Sequence, residues 1–456
     1  FGAQGRTRRE ACWGAARCEA RLGNWWKAFQ AVEESFPPKL EPEPVAERVT
    51  LEYGLAIQLM EFGADPAPGA EDREARATAA FERALALDQA FEAPLEHLVD
   101  LAATMGDAER LQRLGSQYLL LHAESEHADY VRWRMAVALE NGAALRSLRA
   151  HFDQMHPATL GRIAGVAQLD GVAMEDADRA IAALRHQAAS LDQRRDWWTG
   201  VQRLALYSSW NRGRVHDALR QLEAMYREDP RVPFPSVAVS NALYLGGPAD
   251  KADSAARALL RDPEQHLTWQ IVPGAGRLVP PCVAALWVLS HHDTATASRV
   301  ARLLTRALAD SATAAREGSV MTCLAGLEAD LAFTRGDPAA PRLLDHFDSL
   351  VTARTWDWGY LVYANLDVAR LREASGNLPA ALRAVRRREY QWIAPGLVAL
   401  STYLRREGEL AERTADTTGA IRAYRHYLAL RTDPDPELIP ERDSVRTALT
   451  RLSGHS

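Results

Sequence analysis

Lysine is almost missing from this chain: only Lys27, Lys39 and Lys251 stand among 54 basic residues, and the rest are arginine. With the abundant alanine, this reads as GC-rich coding bias rather than a functional signal. Cysteine is scarce too. Four thiols in 456 residues make no disulfide framework. Cys12 and Cys18 lie six apart and point to different helix faces. Cys282 and Cys323 stand alone in apolar surroundings, so all four are expected as buried, inert thiols, a weak lean towards a reducing, cytoplasmic compartment. Long apolar runs are absent. Cys282–Leu289 is the best stretch and is far short of the roughly 18 residues that span a bilayer, so no direct membrane insertion is expected. Strand-type alternation is nearly absent as well. No excess of basic charge exists: 60 acidic residues outweigh the 54 basic ones, which disfavours nucleic acid as a partner. The first residue is Phe1, not methionine, and the chain is expected to be a fragment or processed product with the activity upstream.

What is present is helical periodicity. Ala77, Phe81, Ala84 and Leu85 fall at i, i+4, i+7 and i+8, as do Ala420, Tyr424, Tyr427 and Leu428; Ala218, Leu222 and Met225 make a shorter stripe. A turn followed five residues later by alanine recurs at Gly23–Ala28, Gly213–Ala218, Gly247–Ala252 and Gly376–Ala381, with Ala415–Ala420 a weaker copy. Seven residues before the turn a second small residue often stands: Ala16, Ala329 (before Gly336), Ala369 and Gly408. A left-handed glycine ends the first helix of a hairpin, and the small residues lie where the paired helices cross.

That pattern resembles the tetratricopeptide repeat, a 34-residue helix–turn–helix unit. The predicted fold is all-α, an α-solenoid of antiparallel helix hairpins. Departures are visible: Gly376 and Ala415 stand 39 apart, and Leu206 occupies the small position before Gly213. Proline clusters at 36–44, 63–69 and 229–235 mark breaks, and residues 261–281 make the longest irregular stretch. The expected segments are therefore 1–262 and 282–456, two helical-repeat regions joined by a Pro/Gly-rich connector at 263–281. Pro440 opens a final helix over about 441–452, whose polar outer face caps that end. The runs Tyr403–Ala411, Gly419–Leu430 and Pro434–Leu452 are similar to the terminal repeats of large bacterial regulatory proteins. Those proteins join helical repeats to a serine/threonine kinase, or to a winged-helix domain with the bacterial transcriptional activator module. The resemblance implies a docking or sensory region.

His291-His292-Asp293, and His122 and His127 near Glu124 and Glu126, lack the i, i+4 His pair with glutamate of a helical zinc site and are expected to be solvated or capping. No Gly-x-Ser-x-Gly or kinase motif occurs. Gly274-Ala-Gly276 stands among prolines with no flanking strand, a poor phosphate cradle. No catalytic, cofactor-binding or metal residue is assigned, and the chain is not expected to be an enzyme. The twelve tryptophans, with the pairs Trp25-Trp26 and Trp197-Trp198 and the stripe Trp356, Tyr360, Tyr363, are expected to fill gaps between hairpins; the alternative is an aromatic concave groove for a peptide. Arg383, Arg386, Arg387 and Arg388 are expected as a solvated basic face, with docking of an acidic motif as the alternative. The sequence therefore points to a protein–protein interaction scaffold with a protein or peptide partner. Structural self-assembly is the alternative: Phe1, Cys12, Trp13, Trp25, Trp26 and Phe29 crowd the N-terminal hairpin as a junction or homo-oligomer surface.

Overall fold

The computed structural model describes residues 73–190, 195–228, 232, 234–266, 270–272, 276–309, 318–353, 361–388 and 398–454, with isolated helical residues at 49, 52–54 and 56. The chain divides into two compact units. One is Phe1–Arg194 with Thr352–Trp356 and Glu389–Trp392. The other is Arg195–Val351, Asp357–Arg388 and Ile393–Ser456.

In the first unit α1 (Arg73–Leu87) is followed by α2 (Glu92–Thr104) and α3 (Ala108–Leu121). Then come α4 (Ala128–Ala138), α5 (Gly142–Arg149), α6 (Pro157–Asp170) and α7 (Met174–Ser190). Hairpins form as α2–α3, α4–α5 and α6–α7. The second unit runs α8 (Arg195–Arg212), α9 (Val215–Glu228), α10 (Phe234–Tyr244) and α11 (Ala249–Arg261). A short antiparallel pair follows, β1 (Gln270–Val272) and β2 (Gly276–Leu278), with Ile271 opposite Arg277. The helices resume with α12 (Pro280–Ser290), α13 (Thr294–Ala309), α14 (Gly318–Arg335) and α15 (Ala340–Ala353). The last are α16 (Leu361–Ala374), α17 (Leu378–Arg386), α18 (Leu400–Arg413), α19 (Thr417–Leu430) and α20 (Ile439–Ser453). Within each unit most consecutive helices pack on one another, so the fold is all-α, of the tetratricopeptide-like α-solenoid class built from antiparallel hairpins. The 263–281 stretch belongs to the second unit; its described part holds the two short strands and the 3-10 turn Pro263–His266.

One turn geometry explains the repeat. Left-handed residues end the first helices at Gly106, Glu140, Gly171, Gly213, Gly246, His292, Gly336, Gly376 and Ala415. Their intervals run from 31 residues (Glu140 to Gly171) to 46 (Gly246 to His292), which is why no constant period is visible. The next backbone N–H reaches back to the helix, as Asp107 N to Ala102 O (2.9 Å), Asn377 N to Arg372 O (2.9 Å) and Asp416 N to Ala411 O (2.8 Å). These are Schellman-type closures. At five turns that same residue is Asp or Asn, and its side chain caps the second helix: Asp107, Asn141, Asp293, Asn377 and Asp416; at a sixth, Asp337 accepts from Ala339 N just ahead of α15. The turn assigned to Gly247 is one residue earlier, since Gly246 carries the positive φ.

The small residues do what their spacing implies. Ala218, Ala252, Ala329, Ala369, Ala381 and Ala420 are buried. Gly408 lies against the Tyr424 ring, and an added β-carbon there would overlap it. First and second helices differ in burial. Pro94–Ala102 in α2, Thr159–Leu169 in α6 and Pro280–Trp287 in α12 are buried without interruption, so these helices lie inside all round. The second helices α9, α11 and α13 bury one stripe each and turn the other side to water.

The second unit closes on itself. After α19 the chain crosses α8 and α10: Arg431 Nη1 donates to Trp210 O (2.6 Å) and Asp435 N to Gly213 O (2.9 Å). Arg214, which follows the Gly213 turn, has no carboxylate to cap α9. Asp435 supplies it, accepting from His216 N at 2.8 Å. Inside, Ser401 bonds Asn211 (3.2 Å), Thr402 donates to Tyr244 O (2.7 Å), and Tyr244 stacks on Tyr363 at 4.4 Å between centroids. First helices α8, α10, α16 and α18 thus meet one another.

Candidate functional site

A cluster of buried charge lies in the first unit, on three successive first helices. The α2 helix supplies Glu96, His97 and Asp100; α4 supplies Tyr130 and Arg134; α6 supplies Arg162 and Asp170. Glu96 and Asp100, like Tyr130 and Arg134, are four apart and share a helix face. Arg162 bridges the two α2 carboxylates, Nη1 to Glu96 at 2.6 Å and Nη2 to Asp100 at 2.9 Å. Asp100 also accepts from the Tyr130 hydroxyl and stands 3.5 Å from Arg134 Nε. Arg134 binds Asp170 and donates to Thr104 Oγ1 at 2.9 Å.

Desolvation sets the electrostatics. Burial pushes the Glu96 carboxyl up to about 7, against the pull of Arg162, with Asp100 and Glu92 adding to the rise. Burial, helped by Arg162, drives His97 down to about 3; its ring lies flat on Phe81, centroids 5.1 Å apart. Asp100 is buried too, but Arg162, Arg134 and the Tyr130 hydroxyl outweigh that penalty and hold it below the usual carboxylate range. Removing one partner of such a cluster would leave an uncompensated buried charge on the other. The cluster offers proton exchange at Glu96.

The other candidates find structural places. Contrary to the inert-thiol expectation, Cys282 on α12 and Cys323 on α14 are joined in a disulfide, with Cα atoms 6.3 Å apart. Two isolated thiols 41 residues apart became neighbours because successive first helices pack side by side, which spacing along the chain does not reveal. The reducing-compartment lean, insofar as it rested on free thiols, loses that support. The arginine face also differs from expectation. Arg386 binds Glu407 (3.0 Å) and Asp416 (2.5 Å), Arg388 binds Glu407 (2.5 Å), and Arg387 binds Asp348 (2.6 Å). These three are satisfied by acids of neighbouring hairpins, and only Arg383 faces water in an exposed position.

His292 is the left-handed turn residue itself, and His291 Nδ1 donates to Trp287 O at 2.9 Å. His127 stands between Glu126 (3.5 Å) and Glu96 (4.0 Å), and the His122 ring packs against Tyr118. Among the described residues no group of three or more metal-ligating side chains converges. Gly276 opposes Val272 in the β-hairpin, not a helix N-terminus. Tyr363, Trp133 and Trp210 are fully buried core residues. Trp356, Trp358, Tyr360, Gly274, and the N-terminal Cys12, Trp13, Cys18, Trp25, Trp26 and Phe29 lie outside the described residues, as do the Trp197 and Trp198 side chains.

No family model matches the sequence. No curated protein matches it either. Among solved structures, the crystal structure of yeast Tom70 is similar over 90% of this chain and 96% of that one, at 11% identity and a TM-score of 0.32. No helix among the described residues is long and apolar enough to cross a membrane.

Proposed function

We propose that this chain is a non-catalytic docking array, the repeat region of a larger regulatory protein, that holds a protein partner on the outer faces of its second helices. One observation carries the reading: the first helices α2, α6 and α12 are buried in uninterrupted runs, while the second helices α9, α11 and α13 each bury a single stripe and leave the other face to water. A partner therefore meets second helices. The likeness of Tyr403–Leu452 to terminal repeats of bacterial regulators supports the regulatory setting, with signalling or DNA binding carried by another domain. The buried charged cluster acts in this reading as a specifier of helix register. Photocrosslinking from exposed second-helix positions, such as Thr305 on α13, followed by reconstitution with the purified captured protein, tests it. A saturable complex whose hydrogen-exchange protection falls on second helices is expected. Protection confined to first helices, or no saturable complex from any such position, refutes the reading.

A further inference from the structure

Helix α13 carries an uncommon surface. Ala295, Arg299, Arg302, Arg306 and Ala309 are all exposed and recur at four- and three-residue steps, so they form one stripe along its solvent side. The helix Thr294–Ala309 contains no Asp or Glu. From α14 a fourth guanidinium reaches over: Arg335 Nη2 donates to Ser298 Oγ and, at 3.4 Å, to Thr294 O, both neutral. Among the described residues the acid beside this group is Asp293, which caps the helix by accepting from Thr296 N. That bond, and more weakly Arg299, holds its carboxyl below the usual range.

The contrast with other arginines of the same unit is sharp. Arg370 pairs with Asp330 (2.8 Å), Arg372 with Asp348 (2.7 Å) and Arg405 with Glu409 (2.6 Å). Those arginines are tied to a carboxylate across or along helices; Arg257 and Arg261 on α11 and Arg422 and Arg425 on α19 are exposed like the α13 group, but only as pairs. On α13 like charges instead stand three and four residues apart, where they repel. The opposite side of α13 is spent: Ala297, Val300, Ala301, Leu303 and Leu304 are buried, so the helix has no apolar face to insert into a lipid surface. A polyanionic duplex is disfavoured by the chain's net charge of −6.

We propose that the Arg299–Arg302–Arg306 stripe docks an acidic helical segment of a partner protein, whose carboxylates recur at the same three- and four-residue steps. Each guanidinium fork donates paired hydrogen bonds to one carboxylate. The proposal rests on the docking reading and adds to it the site and the chemistry of the partner.

The test uses the full chain and a synthetic alanine-rich helical peptide with glutamates at the matching spacing, followed by fluorescence anisotropy. Saturable binding is expected, weakened by added salt and by scrambling the glutamate spacing. The triple variant Arg299→Glu, Arg302→Glu, Arg306→Glu should lose about tenfold or more in affinity. Circular dichroism confirms its fold, and the corresponding Arg→Gln triple serves if reversal disturbs folding. Binding unchanged by both triples, absence of binding at low salt, or tighter binding of a DNA duplex than of the peptide overturns the proposal. The captured protein of the preceding section separates the two claims. If it binds the charge-reversed chain as well as the native one, docking stands and this surface falls.

Discussion

Pro434 lies so close over Gly213 that a β-carbon on the glycine would stand 2.8 Å from the proline Cβ. Gly213 is thus required twice, by its left-handed φ of 88° and by the segment that crosses it. Gly376 has φ 78° and nothing within 4 Å of such a carbon, so it is required once. Gly376→Ala is expected to cost about 1 kcal/mol from backbone strain alone, whereas Gly213→Ala should cost about 2–4 kcal/mol with the added overlap. Denaturant midpoints of the two variants measure the difference. Equal losses would mean that 431–438 does not seat on this turn.

The charged cluster makes a pH prediction with a defined sign. Glu96 titrates higher in the folded chain, at about 7, so the fold binds the proton better and Glu96 makes stability fall as pH rises from its unfolded value to 7. His97 titrates lower, at about 3, so its contribution is full above its unfolded value near 6.5 and is lost as pH falls towards 3. Between about pH 4.5 and 6.5 the two oppose each other and the stability of this region should be nearly flat. Glu96→Gln removes one side. Stability should then climb with pH across that window, at up to about 1.4 kcal/mol per pH unit. Urea midpoints at several pH values check this; a native slope equal to that of the variant would show Glu96 to be unperturbed.

Cys282 and Cys323 should resist alkylation in the denatured, unreduced chain and become reactive after reduction, as mass spectrometry of the labelled peptides would register. Their loop spans 41 residues. Removing the bond by a double Cys→Ala substitution should cost about 2–4 kcal/mol. Alkylation of either residue before reduction would show that the pair does not form.

Ala415 holds the left-handed turn position with φ 62°, where glycine stands in other hairpins. Ala415→Gly should relieve strain that outweighs the extra freedom of glycine in the unfolded chain, for a net stabilisation of about 0.5–1 kcal/mol. A raised thermal midpoint is the expected result. A lowered one would show that the closure through Asp416 N to Ala411 O already offsets the strain.

Much of the hairpin grammar was legible because it is local. Apolar periodicity, Gly213, Gly336 and Gly376 as helix ends, and alanine at the crossing points each follow from conformation within a few residues. The turns at Glu140 and His292 escaped, since no glycine marks them. A better signal was present: the Asp or Asn that follows the left-handed residue, as Asn141 and Asp293 do, caps the next helix whatever precedes it.

What no local rule reaches is pairing across the chain. Arg386, Arg387 and Arg388 read as a solvated basic face, because Glu407, Asp416 and Asp348 come to them only when neighbouring hairpins pack. The exposed arginines of α13 look the same in sequence, and only tertiary structure separates those already neutralised from those that face water. Sequence by itself determined the helices, their ends and their buried stripes, since a helix depends on contacts three and four residues away. Tertiary structure decided the Cys282–Cys323 bond, the buried charge cluster and the closure of Asp435 onto Gly213, because each joins residues whose separation, from 41 residues upward or across three helices, is set by packing alone.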